Sequence, residues 1–156
     1  MKSYRGVLTA LIAMAAATAA LIATVTAATA SAAAQRGTTI RLETTSAGKI
    51  LTANNGFTLY QFSRDSRNKD VCVKLSGCKD IWPAVTTQAK PIATKGVNAK
   101  LLGTIKLPNG SRQVTYAGHP LYKYSGDLGP RQTDYIGISA SGGTWYGVNA
   151  KGQRVK

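Results

Sequence analysis

The chain is short of acids and nearly devoid of histidine. Against 20 Lys and Arg it has six acidic residues, Glu43, Asp65, Asp70, Asp80, Asp127 and Asp134, and one histidine, His119. A Ser-His-Asp or Cys-His triad would have to be built on that single imidazole, which stands in the turn-like stretch AGHPLY. A zinc site of the usual His/Cys kind lacks ligands, and there is no Walker loop and no G-x-G-x-x-G leading from a strand into a helix. Ser141-Gly142-Gly143 is read as the opening of the last strand pair rather than a phosphate cradle. A glycosidase needs two carboxyls a defined distance apart; six acids permit such a pair, and nothing selects one. No catalytic residue and no cofactor are assigned.

Helical patterning is also missing after residue 34. No window of a dozen residues carries apolar side chains at i, i+3, i+4 and i+7, and Gly or Pro interrupts most stretches. What recurs instead are short runs rich in Val, Ile, Thr and Tyr bounded by turn residues, which is the pattern of an all-β domain. Strands are expected over 38–44, 49–53, 58–62, 101–107, 113–116, 120–124, 135–138 and 144–148. Asn54-Asn55-Gly56, Pro108-Asn109-Gly110 and Ala117-Gly118 supply turns, the first with the Asn-Gly pair that favours a tight hairpin. Residues 86–99 have little pattern.

The N-terminus reads separately. Lys2 and Arg5 precede an uncharged, Ala-rich run that ends in Ala28-Thr29-Ala30 and Ala32-Ala33-Ala34. A basic start, an apolar middle and small residues at the end describe a secretory signal peptide over residues 1–34, with Ala30 as the second possible cleavage point. The run is long enough to span a bilayer in about 20 residues, but its Ala and Thr content and the Ala-x-Ala endings favour cleavage over a retained anchor. Without Lys2 and Arg5, 18 basic residues face six acids, a net charge of +12. They are spread from Arg36 to Lys156 rather than blocked into a tail. Such a surface draws anionic partners with a salt-sensitive affinity. For an exported protein these are cell-wall polymer or membrane headgroups, ahead of nucleic acid. In an oxidising compartment Cys72 and Cys78, flanking VKLSG, are expected to form a local disulfide that stabilises the fold by about 2 kcal/mol on the chain-entropy estimate.

One stretch occurs twice. GFTLYQFSRD at 56–65 and GHPLYKYSGD at 118–127 share Gly, Leu, Tyr, an aromatic, Ser and Asp at the same six positions, offset by 62. Each is followed by a tryptophan, Trp82 and Trp145, offset by 63. The second copy has no cysteine pair. The expected architecture is therefore one all-β domain over residues 35–156. It is a duplicated β-unit with two pseudo-symmetric halves of antiparallel strands, about 46–85 and 108–150. These pack as one sandwich- or barrel-like body across a connection at 86–107. Alternation along a strand puts Tyr60 with Phe62, and Tyr122 with Tyr124, on a core face near Trp82 and Trp145, and turns Leu59 and Leu121 the other way. A buried tyrosine hydroxyl needs a partner. Asp65 and Asp127 follow in turn-forming sequences. Either they cap the strand exits, or they converge across the pseudo-twofold as a carboxylate pair or cation site, with His119 as a further candidate ligand.

Tyr60-Gln61-Phe62-Ser63-Arg64-Asp65 and Tyr122-Lys123-Tyr124-Ser125-Gly126-Asp127 both fit a Y-x-[FWY]-x-x-D motif. With Cys72 and Cys78 before Trp82-Pro83, the run Gln113–Tyr116 and Gly142-Gly143-Thr144-Trp145, the chain resembles the bacterial family of secreted repeats, often lipoproteins, that carries this motif. The resemblance spans nearly all of 46–150. It implies export and envelope association and no particular activity. Many members carry a lipid-modified cysteine at the mature N-terminus; this sequence has none there, so a lipid tether is not implied. Three functions remain: a non-catalytic envelope or extracellular binding module, a metal- or redox-associated secreted protein using the Asp-ended motifs, and a carboxylate-dependent glycan hydrolase.

Overall fold

A computed structural model of the chain describes residues 37–156; the expected signal peptide lies outside the described residues. The described part is mostly short strands in three small sheets, and no barrel closes. The first sheet contains β1 (Thr39–Thr45) and β2 (Gly48–Ala53), an antiparallel pair with Leu42 opposite Leu51. The motif of the first repeat enters β3 (Gln61–Phe62). After it come a 3₁₀ turn at Cys72–Lys74 and the single-turn α1 (Cys78–Ile81), joined by the Cys72–Cys78 disulfide. Gly77 precedes α1 with φ +69°, which is where a residue without a Cβ is needed to bend so short a loop.

The stretch expected to lack pattern contains two short strands, β4 (Thr86–Thr87) and β5 (Ile92–Ala93). β5 lies parallel to β1, with Thr39 opposite Ile92, a pairing that two residues of unexceptional composition do not announce. The chain then forms β6 (Leu102–Lys106), β7 (Arg112–Tyr116) and β8 (His119–Pro120), an antiparallel set to which β4 adds beside β7. The last elements are β9 (Ser139–Ala140), β10 (Gly143–Val148) and β11 (Arg154–Val155); β9, β11 and β3 all pair with β10.

The turns follow their sequences. In 53–57 and 107–111 the same hairpin recurs. Gly56 and Gly110 donate back to Ala53 and Leu107, Ala53 and Leu107 donate to Phe57 and Ser111, and both glycines have positive φ. This is the three-residue loop that ends in a left-handed residue. Ala117-Gly118 and Ser141-Gly142 are two-residue turns with both φ positive, so Ser141-Gly142 does open the final strand pair. Residues 135–138, expected as a strand, are turn instead. Ile136 donates to Thr133 and Ile138 to Tyr135, while Gly137 has φ +83°. Tyr135 and Ile136 pack on the aromatic core from this turn, Tyr135 against Trp82 at 5.0 Å between ring centroids, while Ile138 is exposed.

Two cores result, one on each side of the repeated strands. Leu59 and Leu121 enter an aliphatic cluster with Ile40, Leu51, Val85, Val114 and Val148. Tyr60, Phe62 and Tyr122 enter an aromatic cluster with Trp82, Trp145 and the disulfide. The leucine face, expected to turn away from the core, is thus a second core; in the first repeat even Gln61 is buried. Tyr124 is half-buried and Lys123 exposed.

Candidate functional site

The repeated motif meets itself. Tyr60 and Tyr122 pair antiparallel, Tyr60 N–H donating to Tyr122 C=O at 2.9 Å and Tyr122 N–H to Tyr60 C=O at 3.0 Å. The approximate twofold between the repeats passes there. On either side of it equivalent bonds appear in duplicate: Ser63 N–H to Thr144 C=O and Ser125 N–H to Ile81 C=O are both 2.9 Å.

The side chains obey the same symmetry, and they cross. Tyr60 OH donates to both carboxylate oxygens of Asp127, at 3.2 and 3.1 Å. Tyr122 OH donates to Asp65 Oδ2 at 2.7 Å. The tyrosine of each motif is therefore bound by the aspartate of the other copy, not by its own. Aromatic stacking crosses as well. Phe62 stacks on Trp145 (4.3 Å), Trp145 on Trp82 (3.6 Å, 5° between planes), and Trp82 on Tyr124 (4.6 Å). Each tryptophan contacts the second motif aromatic of the opposite repeat, and Tyr60 and Tyr122 stand edge-on to Trp82 and Trp145. Edge-to-face and offset pairs of this kind are favoured by the ring quadrupoles.

The turn after each motif presents its carboxylate. Asp65 N–H donates to Phe62 C=O at 3.3 Å and Asp127 N–H to Tyr124 C=O at 3.2 Å. Ser63 Oγ accepts from Thr144 N–H, and Asp65 Oδ1 from Val71 N–H, both at 2.7 Å. Burial pushes both carboxyls up to about 6; for Asp65 the Val71 and Tyr122 hydrogen bonds oppose the rise, and for Asp127 the Tyr60 bond does. Tyr60 and Tyr122 are held far above the usual phenol range by burial and by the adjoining carboxylates, so they remain neutral donors.

The residues weighed as cation ligands are placed apart in role. Asp65 accepts from Val71 N–H and Tyr122 OH and Asp127 from Tyr60 OH, so each carboxylate has its own donors; Asp70 raises and Arg154 lowers the pKa of Asp65, and Asp134 raises that of Asp127. His119 pairs with Tyr116 across the β7–β8 turn. Burial, Arg154 and Arg67 lower its pKa, in that order. Among the described residues, no three of His, Cys, Asp or Glu form a group able to hold a metal ion.

Residues 42–86 and 103–148 match the family model for a secreted repeat of unknown function, Lipoprotein_15, one copy per repeat. The chain belongs to this family. No curated protein and no solved structure shows significant similarity to it. In this secreted-repeat protein the two family units are interleaved at the motif itself, since β3 of the first unit pairs with β10 of the second. No helix among the described residues is long and apolar enough to cross a membrane.

One surface feature was not legible from sequence. Adjoining depressions run along one side of the molecule, sharing Asp70, Val73 and Leu107, then Thr86 and Ser111, then Thr38. Their charged lining is Lys69, Lys74, Lys79, Lys106, Arg112 and Lys123 against the single acid Asp70. These cations come from the disulfide loop, the β6–β7 hairpin and the second motif, segments up to 54 residues apart in sequence, so only the fold brings them to one side.

Proposed function

We propose that this protein is an exported, non-catalytic binding module of the cell envelope, and that it holds anionic cell-wall polymer along the lysine-lined depressions. The observation that carries the reading is the six-to-one excess of cations over acids in that lining. A linked series of hollows suits an extended chain better than a flat membrane of headgroups, which would need no groove. The motif carboxylates, engaged with buried tyrosines, are assigned to holding the fold rather than to chemistry. Residues 1–34 serve as the protein's export signal.

Salt-dependent co-sedimentation tests the proposal. The protein should pellet with purified anionic wall polymer at low salt and be released as salt rises. Replacing Lys69, Lys74 and Lys106 by Glu should abolish pelleting with the fold intact. Failure of the unaltered protein to pellet at low salt would overturn the reading.

A further inference from the structure

One hollow on the lysine-lined side has no lysine. It is lined by β4, the 107–111 turn, the start of β7 and Thr38, and Arg112 is the one charge in its wall; no acid lines it among the described residues. Its volume, about 600 Å³, falls within the ~300–1,000 Å³ of ordinary small-molecule sites. The Arg112 side chain is exposed and only partly engaged. Its Nη2 donates to the C=O of Gln88, the residue after β4, which anchors the group at one nitrogen. Among the described residues its Nε and Nη1 donate to nothing, and no carboxylate pairs with it. A guanidinium anchored in this way presents the rest of its donor fork to an oxyanion.

The hydroxyls beside it have the opposite need. Thr38 Oγ1 gives its proton to Thr86 C=O at 2.7 Å, and Ser111 Oγ gives its own to Asn109 Oδ1 at 2.7 Å. Asn109 Oδ1 also accepts Ser111 N–H at 3.1 Å, which identifies it as the oxygen. Thr38 is seated by its N–H on Thr87 Oγ1 at 3.0 Å. A hydroxyl whose proton is committed can only accept. Both oxygens therefore match a ligand that donates, while Arg112 matches one that accepts as an anion. A bare anion would leave the hydroxyl oxygens unmet, and a neutral polyol would leave the guanidinium without its charge partner. We propose that this hollow takes a hydroxylated oxyanion, a sugar or polyol unit that carries a phosphate or carboxylate group. The oxyanion lies on Arg112, and ligand hydroxyls donate to Thr38 and Ser111. The inference deepens the polymer-binding reading and rests on it: the unit is one repeat of the anionic chain whose further charges lie against the lysines of the adjoining depressions.

Glycerol 1-phosphate and glucuronate are the probes. Their separated parts, glycerol with inorganic phosphate and glucose with acetate, are the controls. Each is titrated into ¹⁵N-labelled protein, and the backbone amides of Ser111 and Arg112 are followed against the indole N–H of Trp145, which is buried in the aromatic core. At least one probe should shift those amides saturably and bind about fivefold or more tighter than either of its parts, the worth of one hydrogen bond. Which probe does so distinguishes phosphate from carboxylate. Arg112→Gln should weaken that binding about tenfold, as expected for a hydrogen bond to a charged group, and Thr38→Val about fivefold. Should either variant fold poorly, Thr86→Trp fills the hollow from an exposed side chain that makes no hydrogen bond among the described residues, and should abolish the response. No saturable response to either probe, a gain over the parts of less than about fivefold, or unchanged binding in Arg112→Gln overturns the assignment. Polymer pelleting without a probe response overturns the hollow alone, and a probe response in protein that does not pellet overturns the parent reading alone.

Discussion

At the scale of single residues, the two motif tyrosines have unequal security. Asp65 keeps a second donor, Val71 N–H, when Tyr122 is altered, whereas Tyr60 is the sole hydrogen-bond donor to the Asp127 carboxylate among the described residues. Tyr60→Phe should therefore destabilise the protein more than Tyr122→Phe, with costs of about 1–3 kcal/mol for a buried acceptor left bare. Chemical denaturation of both variants checks the order. The aspartates also set a pH dependence opposite in sign to ordinary acid denaturation. Their folded pKa values, about 6, lie above the unfolded value of 3.8. Between these limits the native state binds more protons than the unfolded chain, so stability rises as pH falls from 7 towards 4. Asp65→Asn with Asp127→Asn should flatten that slope in urea titrations at pH 7 and pH 4.5. The tyrosines, aromatics and aspartates were legible in sequence because they recur at fixed positions. Their crossing was not: Tyr60 and Asp65 are neighbours along the chain, and only the antiparallel meeting at Tyr60 and Tyr122 sends each aspartate to the other copy.

Among elements, those whose turns have a stereochemical requirement could be read directly. Asn55-Gly56, Asn109-Gly110 and Ala117-Gly118 mark hairpins because their glycines occupy positive φ, which other residues adopt at a cost. β5 could not be read, because its pairing is a long-range parallel contact between two residues and β1. The 135–138 segment misled because it is a turn whose neighbours Tyr135 and Ile136 are recruited by the aromatic core, and only Gly137 and Ile138 reach β10, through hydrogen bonds with Trp145. The disulfide, by contrast, was legible, and both of its half-cystines are buried in the aromatic cluster. Replacing both by Ala should cost about 2 kcal/mol in loop entropy, plus the packing that the sulfurs supply. Thermal unfolding of the double variant against the oxidised parent measures it.

For the molecule as a whole, the interleaving makes the two repeats one cooperative body. The tryptophan stack runs Phe62, Trp145, Trp82, Tyr124, alternating between repeats, and neither half can complete its own aromatic core. Residues 37–101 and 102–156, produced separately so that each keeps one whole family unit, should each lack a cooperative unfolding transition, and circular dichroism on heating shows whether they do. The groove of lysines belongs to this scale too. Sequence revealed the charge but not its arrangement, because the cations converge only when the disulfide loop packs beside the β6–β7 hairpin.

The duplicated motif is a crossed lock, in which each tyrosine is bound by the aspartate of the other copy, and a pair of double-mutant cycles can show it. Tyr60→Phe is combined first with Asp127→Asn and then with Asp65→Asn, and unfolding free energies are measured for every single and double variant. The structure predicts a coupling of about 0.5–3 kcal/mol between Tyr60 and Asp127, and additivity within about 0.5 kcal/mol for Tyr60 and Asp65. Coupling of Tyr60 to Asp65, with none to Asp127, would contradict it: each motif would then be bonded within its own repeat.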